Sequence, residues 1–245
     1  MRLLGRLTPR TAGLLALVTV AAMGVVVWQA GWLSAPETSI PEATVVKARG
    51  PIAIDSRLEE PDWARAERLR DFVISTSGRR APLDVDARML WDEQALYVMF
   101  DVEDYDIVST FTQRDDALYT EDVVELFLDP NGDGKDYVEL EVSPNGVLFD
   151  ALFPSYRKAL ERSKRWNLPG LRAAVATHDE GYRVELRVPF DGLPGGAPNA
   201  GDTWRAHLYR IDQHGEGEGH FTAWSAPLAP DFHVLARMGT LRFVD

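Results

Sequence analysis

The chain has 245 residues, a formal net charge of −12 and no cysteine. The lack of cysteine excludes disulfides and a lipid-modified cysteine at a mature N-terminus. The negative charge argues against nucleic acid or anionic lipid as a partner, whereas it is compatible with neutral ligands and with cations.

The N-terminal segment has the pattern of a membrane anchor. Arg2, Arg6 and Arg10 precede a charge-free run from Thr11 to Leu33. An apolar helix of about 20 residues crosses a bilayer, and its basic flank stays in the cytoplasm. Residues 1–33 are therefore predicted to anchor the protein in the inner membrane, with the remainder in the periplasm. The alternative is a cleaved signal peptide and a secreted protein. However, the apolar run is longer than that of a typical signal peptide, and the small-x-small cleavage motif is missing.

Residues 34–48 are predicted to be a linker, and residues 49–245 a single all-β domain. Apolar residues in this domain alternate with polar ones in short runs that turn signals separate. This pattern predicts an antiparallel β-sandwich of the jelly-roll type. Two short helices are predicted at Pro61–Arg70 and Tyr156–Arg165. The predicted strands are Ala87–Trp91, Ala95–Val102, Val123–Leu128, Tyr137–Val142, Val147–Leu152, Arg172–Thr177, Tyr182–Val188, Trp204–Ile211 and Met238–Phe243.

Short motifs occur in a fixed order along this domain. They include Pro61-Asp62-Trp63, the run Trp91–Val98, the run Glu121–Asp129, Trp224-Ser225 and Met238–Leu241. Together they resemble the family 9 carbohydrate-binding modules over nearly all of residues 49–245. The resemblance implies a non-catalytic β-sandwich that binds sugars, carries structural calcium and is often joined to polysaccharide-degrading enzymes.

Two aromatic residues are candidates for direct contact with a sugar. The sugar-binding members hold a sugar between two rings, and the resemblance places Tyr119 and Phe232 at those positions, where these members have tryptophan. An aromatic face accepts the C–H side of a pyranose, while nearby polar groups bind its hydroxyls. We expect the two rings to flank one pocket; alternatively, they only cover the core at its rim.

Glu125 is the central polar candidate. Strand alternation places it between Val123 and Phe127 on one face of a strand, where a carboxylate is either paired or functional. The resemblance implies that it accepts a hydrogen bond from a sugar hydroxyl. The alternative is an ion pair with Arg210 or Arg205.

Glu141 and Arg210 complete the predicted sugar-binding set of Tyr119, Glu125, Glu141, Arg210 and Phe232. Glu141 stands where a sugar-binding member can carry arginine, so the ligand of this chain is expected to differ. The sequence does not identify the glycan.

The turn after the Glu125 strand is a candidate calcium loop. Asp129, Asn131 and Asp133 place oxygen atoms at alternate positions, and a glycine stands sixth. The twelfth position of an EF-hand would be Leu140 here, and an ordinary hairpin turn explains the same residues. Calcium somewhere in the domain is implied by the resemblance, with Asp129, Asn131 and Asp133 as candidate ligands.

Three classes of function remain open. The favoured one is non-catalytic carbohydrate binding by a membrane-tethered module associated with polysaccharide breakdown. A glycoside hydrolase would use two of Glu125, Glu139 and Glu141 as acid and base. A structural or redox sandwich that has lost sugar binding would hold haem through ligands such as Met89 and Met99.

We expect the full-length protein to fractionate with the inner membrane, because residues 1–33 combine a basic flank with an apolar run of spanning length. Cell fractionation followed by N-terminal sequencing measures this. A soluble periplasmic form whose N-terminus lies near Pro36 would show that the segment is a cleaved signal peptide.

Overall fold

The computed structural model describes residues 39–157, 163–213 and 220–245. The predicted N-terminal membrane segment, residues 1–33, lies outside the described residues. Within the described ranges, no helix is long and apolar enough to cross a membrane. All of the described residues belong to one compact unit.

The described part of the chain forms twelve strands and three short 3-10 helices. The 3-10 helices are Pro61–Ala64, Leu118–Thr120 and Leu235–Arg237. The strands are β1 (Glu42–Lys47), β2 (Val73–Ile74), β3 (Val85–Trp91), β4 (Ala95–Glu103), β5 (Val123–Asp129), β6 (Tyr137–Val142), β7 (Leu148–Phe153), β8 (Arg172–His178), β9 (Gly181–Pro189), β10 (Thr203–Asp212), β11 (His220–Ala223) and β12 (Gly239–Val244).

The strands join in the order β7-β6-β5-β10-β12-β1-β3-β4-β9-β8, and β11 pairs with β10 and β2 beside this path. The all-β prediction is confirmed, and each predicted strand has a counterpart with similar bounds. The prediction of purely antiparallel pairing is wrong at one strand. β1 runs parallel to both neighbours, β12 and β3, and thereby joins two antiparallel halves into a continuous, nearly closed sheet.

β1 also changes the domain boundary, because it lies inside the predicted linker of residues 34–48. Its Ala43 and Val45 are buried in the main core. The short apolar run of β1 resembles a linker when read alone, since its strand partners come from distant parts of the sequence. A fragment that starts at Arg49 would lack β1 and expose the edges of two core strands.

The first predicted helix is largely replaced by extended chain. Within this range only Pro61–Ala64 forms a 3-10 turn. The Asp62 carboxylate links this turn to the preceding segment by accepting hydrogen bonds from the backbone N–H groups of Arg49 and Gly50. Leu69 then exchanges backbone hydrogen bonds with Ala87 of β3 instead of continuing a helix. Half of the second predicted helix, residues 158–162, lies outside the described residues.

Strands β5 and β6 are buried on both faces. One face lies in the main core. Its residues are Val124, Leu126, Leu128, Val138, Leu140 and Val142. The other face is covered by loop residues such as Leu118 and packs with β7 and β10 into a second cluster, which includes Val123, Phe127, Tyr137, Phe149, Phe153 and Tyr209. Because side chains alternate between the faces, Glu125, Glu139 and Glu141 lie on this second face.

Candidate functional site

A cavity of about 540 Å³ opens over the second face of β5 and β6. It brings together four of the five predicted sugar-binding residues, Tyr119, Glu125, Glu141 and Phe232. The remaining lining residues are Ser75, Thr76, Glu139, Phe149, Arg157, Lys164, Ile211, Phe221, Pro230, Asp231 and His233. The two rings therefore flank one pocket into which Glu125 projects.

Tyr119 is held at the rim by its neighbour. The 3-10 helix Leu118–Thr120 buries Leu118 completely in the second cluster, while Tyr119 remains 46% exposed. The Thr120 hydroxyl donates to the carbonyl of Ala117 and closes the turn at 2.8 Å. The position of the Tyr119 backbone is thus set by packing, and the ring itself is available to a ligand.

Phe232 belongs to a preformed aromatic wall. Its ring stacks on Tyr209 with centroids 4.0 Å apart and an interplanar angle of 10°. The Tyr209 hydroxyl donates to the Phe232 carbonyl at 2.9 Å, and Phe221 approaches the Phe232 ring edge-on. Sequence reasoning missed Phe221 because β11 was not predicted. The register of β11 with β10 places Phe221 opposite Ile211 on the cavity face, and only the structure gives this register.

The loop that carries Phe232 is pinned by the following residue. The His233 backbone N–H donates to Asp231 Oδ1, and His233 Nδ1 lies 2.7 Å from the Tyr137 hydroxyl. Burial, aided by the positive charge of Arg157, lowers the pKa of His233 to about 4. His233 is therefore neutral at physiological pH and serves as an anchor for the wall.

Three carboxyl groups form the floor of the cavity. Glu125 stands directly opposite Glu141 in the β5–β6 ladder, and Glu139 lies on the same face of β6. Their exposed fractions are 1%, 0% and 9% in the order Glu125, Glu141, Glu139. Their burial so close together means that they cannot all ionise without a compensating cation.

The pKa values of this floor are all raised. Burial is the main cause for each, and the charge of Glu139 adds to it at Glu125. At Glu141 the charges of Glu125 and Glu139 add to burial. Burial raises the pKa of Glu139 to about 7, even though the neighbouring Glu141 and two nearby cations, Arg157 and Lys164, oppose the shift. At neutral pH the floor therefore holds protons, and its carboxyl groups can donate as well as accept.

Two cations line the cavity above the floor. Arg157 Nε lies 3.8 Å from Asp231 Oδ1. The Lys164 ammonium lies 5.9 Å from the centre of the Phe149 ring. Neither cation forms an ion pair with the floor carboxyls.

Arg210, predicted as a sugar-binding residue, is on the wrong face of β10. The register pairs Tyr209 with Glu125, so alternation turns Arg210 into the interior of the domain. There its Nη2 lies 3.0 Å from Asp104 Oδ2, and its Nη1 lies 2.6 Å from Asp212 Oδ2. The alternative ion pair between Glu125 and Arg210 is excluded for the same reason.

The other alternative partner for Glu125 was Arg205. Its guanidinium donates to the backbone carbonyl of Met238 instead.

The predicted calcium loop has the hydrogen bonds of a tight turn. The two Asp129 carboxylate oxygens accept the N–H groups of Gly132 and Gly134. Asn131 Oδ1 accepts from Asp133, whose own carboxylate accepts from Lys135. These contacts engage all three predicted ligands, as an ordinary hairpin turn would.

A different acidic group has the donor chemistry of a calcium site. Asp104, Asp122 and Asp212 are buried, and a carboxylate oxygen from each lies within 4.8 Å of the others. Arg210 supplies one positive charge against three carboxylates, and His220 Nδ1 lies 3.4 Å from Asp212. Sequence reasoning missed this group because its members come from the ends of three separate strands or loops.

The two other predicted activities need different arrangements. A hydrolase places two carboxyls about 5 to 9 Å apart on either side of the scissile bond, whereas Glu125, Glu139 and Glu141 lie side by side on one face of β5 and β6. Met89 lies in the main core and Met99 in a separate cluster on the other face of the sheet, so one haem cannot lie between them.

Comparison with known sequences gives two findings. The family model described as "Carbohydrate family 9 binding domain-like" matches residues 54–245. Exoglucanase XynX of Acetivibrio thermocellus is 26% identical over 157 residues, covering 63% of this chain and 13% of that protein. Endo-1,4-beta-xylanase C of Paenibacillus barcinonensis is 26% identical over 191 residues, covering 75% of this chain and 16% of that protein. The chain therefore corresponds to a small part of these relatives.

Solved structures give a third finding. A family 9 carbohydrate-binding module of Caldicellulosiruptor kristjanssonii in complex with cellotriose matches with a TM-score of 0.61 at 18% identity, over 83% of this chain and 93% of that one. A module from the same organism in complex with glucose matches with a TM-score of 0.57, also at 18% identity, over 82% of this chain and 95% of that one. At these identities the likeness shows a shared fold.

We expect Arg210→Met to lower the free energy of unfolding by about 3 to 5 kcal/mol, because it leaves buried carboxylates without their guanidinium. Arg242→Met is the matched control, since Arg242 is a half-exposed residue that pairs with Glu42. This substitution should lower the free energy of unfolding by about 1 kcal/mol or less. Urea unfolding of both variants in chelator measures the difference. Equal stabilities would contradict a structural role for Arg210.

Proposed function

Because the chain belongs to the family 9 carbohydrate-binding modules, we propose that it binds a sugar in the cavity between Tyr119 and Phe232 and has no catalytic activity of its own. One observation carries the proposal: two rings from distant parts of the sequence line the same cavity as the buried Glu125. The neighbouring complexes with cellotriose and glucose support a pyranose as the ligand.

The walls and the floor of the cavity would bind different parts of the sugar. Tyr119 and Phe232 offer apolar faces to the C–H side of a pyranose ring. The floor carboxyls and the Ser75 hydroxyl offer polar atoms to its hydroxyl groups. Tyrosine and phenylalanine have smaller faces than tryptophan, so we expect weaker binding than a pair of tryptophans would give.

We further propose that the module is exported and membrane-tethered through residues 1–33, and that it takes part in polysaccharide breakdown. The basic flank and apolar run of the N-terminal segment support the tether. The xylanase and exoglucanase relatives support the link to polysaccharides. Because this chain matches only a minor portion of each enzyme, the similarity supports the role of an accessory module.

We also propose that calcium binds the domain through Asp104, Asp122 and Asp212. Carboxylate oxygens are the ligands that calcium prefers, and all three side chains are buried within reach of one ion. A divalent cation would add positive charge beside these three carboxylates, next to that of Arg210.

We expect Tyr119→Ala to weaken binding of cellotriose by about 1 to 3 kcal/mol with little change in melting temperature, because an exposed ring contributes to binding more than to folding. Phe232→Ala should weaken binding similarly and also lower stability, since the Phe232 ring stacks on Tyr209. Calorimetric titration and thermal melting measure the two effects.

Tyr105→Ala is the matched control, because Tyr105 is 69% exposed and does not line the cavity. It should leave cellotriose binding unchanged. If Tyr119→Ala binds cellotriose as well as the wild type does, the cavity is not the sugar site.

We expect calcium to raise the melting temperature of demetallated protein. A ligand specific for the native state at a hundredfold excess over its Kd contributes about 2.7 kcal/mol, which corresponds to several degrees. Asp122→Asn should abolish the calcium effect, whereas Asp133→Asn, in the tight turn, should keep it. Identical melting curves in calcium and in chelator would contradict the proposal.

A further inference from the structure

The floor of the cavity carries more carboxyl groups than a neutral sugar requires. Glu125, Glu139 and Glu141 occupy one face of two adjacent strands. Within the described residues none of the three forms an ion pair with lysine or arginine, and the nearest imidazole, that of His233, is 3.8 Å from Glu139 and neutral. Buried carboxylates normally have a cationic partner, which is missing from the described part of this protein.

Four buried polar atoms of cavity-lining residues have no hydrogen-bond partner in the described structure. They are Ser75 Oγ, Glu125 Oε2 and both carboxyl oxygens of Glu141, from residues that are at most 1% exposed. An unsatisfied buried polar atom is costly, and natural structures rarely keep one without a reason. Since all three residues line the cavity, these atoms indicate that a ligand supplies the missing hydrogen bonds.

The residues that line the cavity include more carboxyl groups than cationic groups. Arg157 is paired with Asp231, so it contributes no net charge to the cavity. Lys164 is a single ammonium group opposite three carboxyls. The lining therefore has an acidic excess, which is concentrated at its buried end.

The walls suit a cation as well as a sugar. An ammonium group is attracted to the face of an aromatic ring. Tyr119, Phe221 and Phe232 line the cavity. A ligand that combines a pyranose ring with a positive charge would use both the walls and the floor.

We propose that this cavity takes a cationic amino sugar, whose ammonium group binds to Glu125, Glu139 and Glu141 while its pyranose ring packs between Tyr119 and Phe232. The inference rests on the proposed carbohydrate-binding function and narrows it to a substrate class. It also gives a role to Glu141, which stands where a sugar-binding member can carry arginine.

Proton release is a consequence that can be measured. The floor holds protons at neutral pH, since burial raises the pKa of Glu139 to about 7 and raises those of Glu125 and Glu141 well above the usual value, with the neighbouring carboxylates adding to the shift. A bound ammonium stabilises the carboxylate forms and lowers these pKa values, so protons leave on binding. The other titratable groups around the floor are Tyr137, Arg157, Lys164, Tyr209, Asp231 and His233.

The test compares glucosamine, N-acetylglucosamine and glucose by calorimetric titration of the full-length protein in mild detergent. Glucosamine should bind about tenfold or more tightly than glucose, because a hydrogen bond to a charged group contributes about 1.5 to 3 kcal/mol. N-acetylglucosamine keeps the nitrogen without the charge and should show no such gain. Titration in two buffers of different ionisation enthalpy should show proton release for glucosamine alone.

Glu125→Gln should lower the affinity for glucosamine at least tenfold more than the affinity for glucose, since glutamine has the shape of a protonated glutamate but cannot become an anion. Glu139→Gln is the second variant, in case the first does not fold. Glu93→Gln is the control, because Glu93 is an exposed carboxylate paired with Lys47 outside the cavity.

Each outcome decides between the two proposals. Equal binding of glucose and glucosamine would overturn the amino-sugar assignment and leave the carbohydrate-binding function intact. Failure of all three sugars and of cellotriose to bind would overturn both. A preference for glucosamine that survives in the Gln variants would show that the floor carboxyls do not recognise the amine.

Discussion

The site depends on one constraint, which is that the second face of strands β5 and β6 has to be covered. One face of these strands packs in the main core, and the other would be exposed to water unless loops covered it. The loops that carry Leu118 and Phe232 supply this cover, and the cavity lies where the cover is incomplete. A register shift of one residue would exchange the faces and put Glu125 into the core, so the alternation of these strands positions the whole site.

The same alternation separates two buried groups of acids on opposite faces of one sheet. Inside the domain, Asp104 and Asp212 are compensated by the Arg210 guanidinium. On the cavity face, the glutamates have no such partner among the described residues. Burial raises the pKa values of the glutamates, as it also does for Asp104 and Asp122. A permanently buried charge needs a permanent partner within the protein, whereas a group that faces a cavity can be paired by a bound ligand. This contrast is the physical reason for treating the glutamates as functional.

One wall of the site is held in place by contacts that do not involve a ligand. Phe232 is stacked on Tyr209, and its loop is fixed through the contact of His233 with Tyr137. Pre-organised rings lose little conformational freedom when a ligand binds, which partly offsets their smaller contact area relative to tryptophan. Membership of the family 9 carbohydrate-binding modules accounts for the fold. The acidic floor is a feature of this chain's own residues.

Strand positions, the all-β class and the candidate rings Tyr119 and Phe232 could be obtained from the sequence, because alternation and short motifs are local patterns. The strand β1 and the aromatic wall residue Phe221 could not, since short strands are recognisable only through partners that are distant in the sequence. Arg210 shows the limit most clearly. Its own strand was predicted with nearly the correct bounds, yet its place inside the domain depends on the register with Glu125, which only the pairing of β5 with β10 determines.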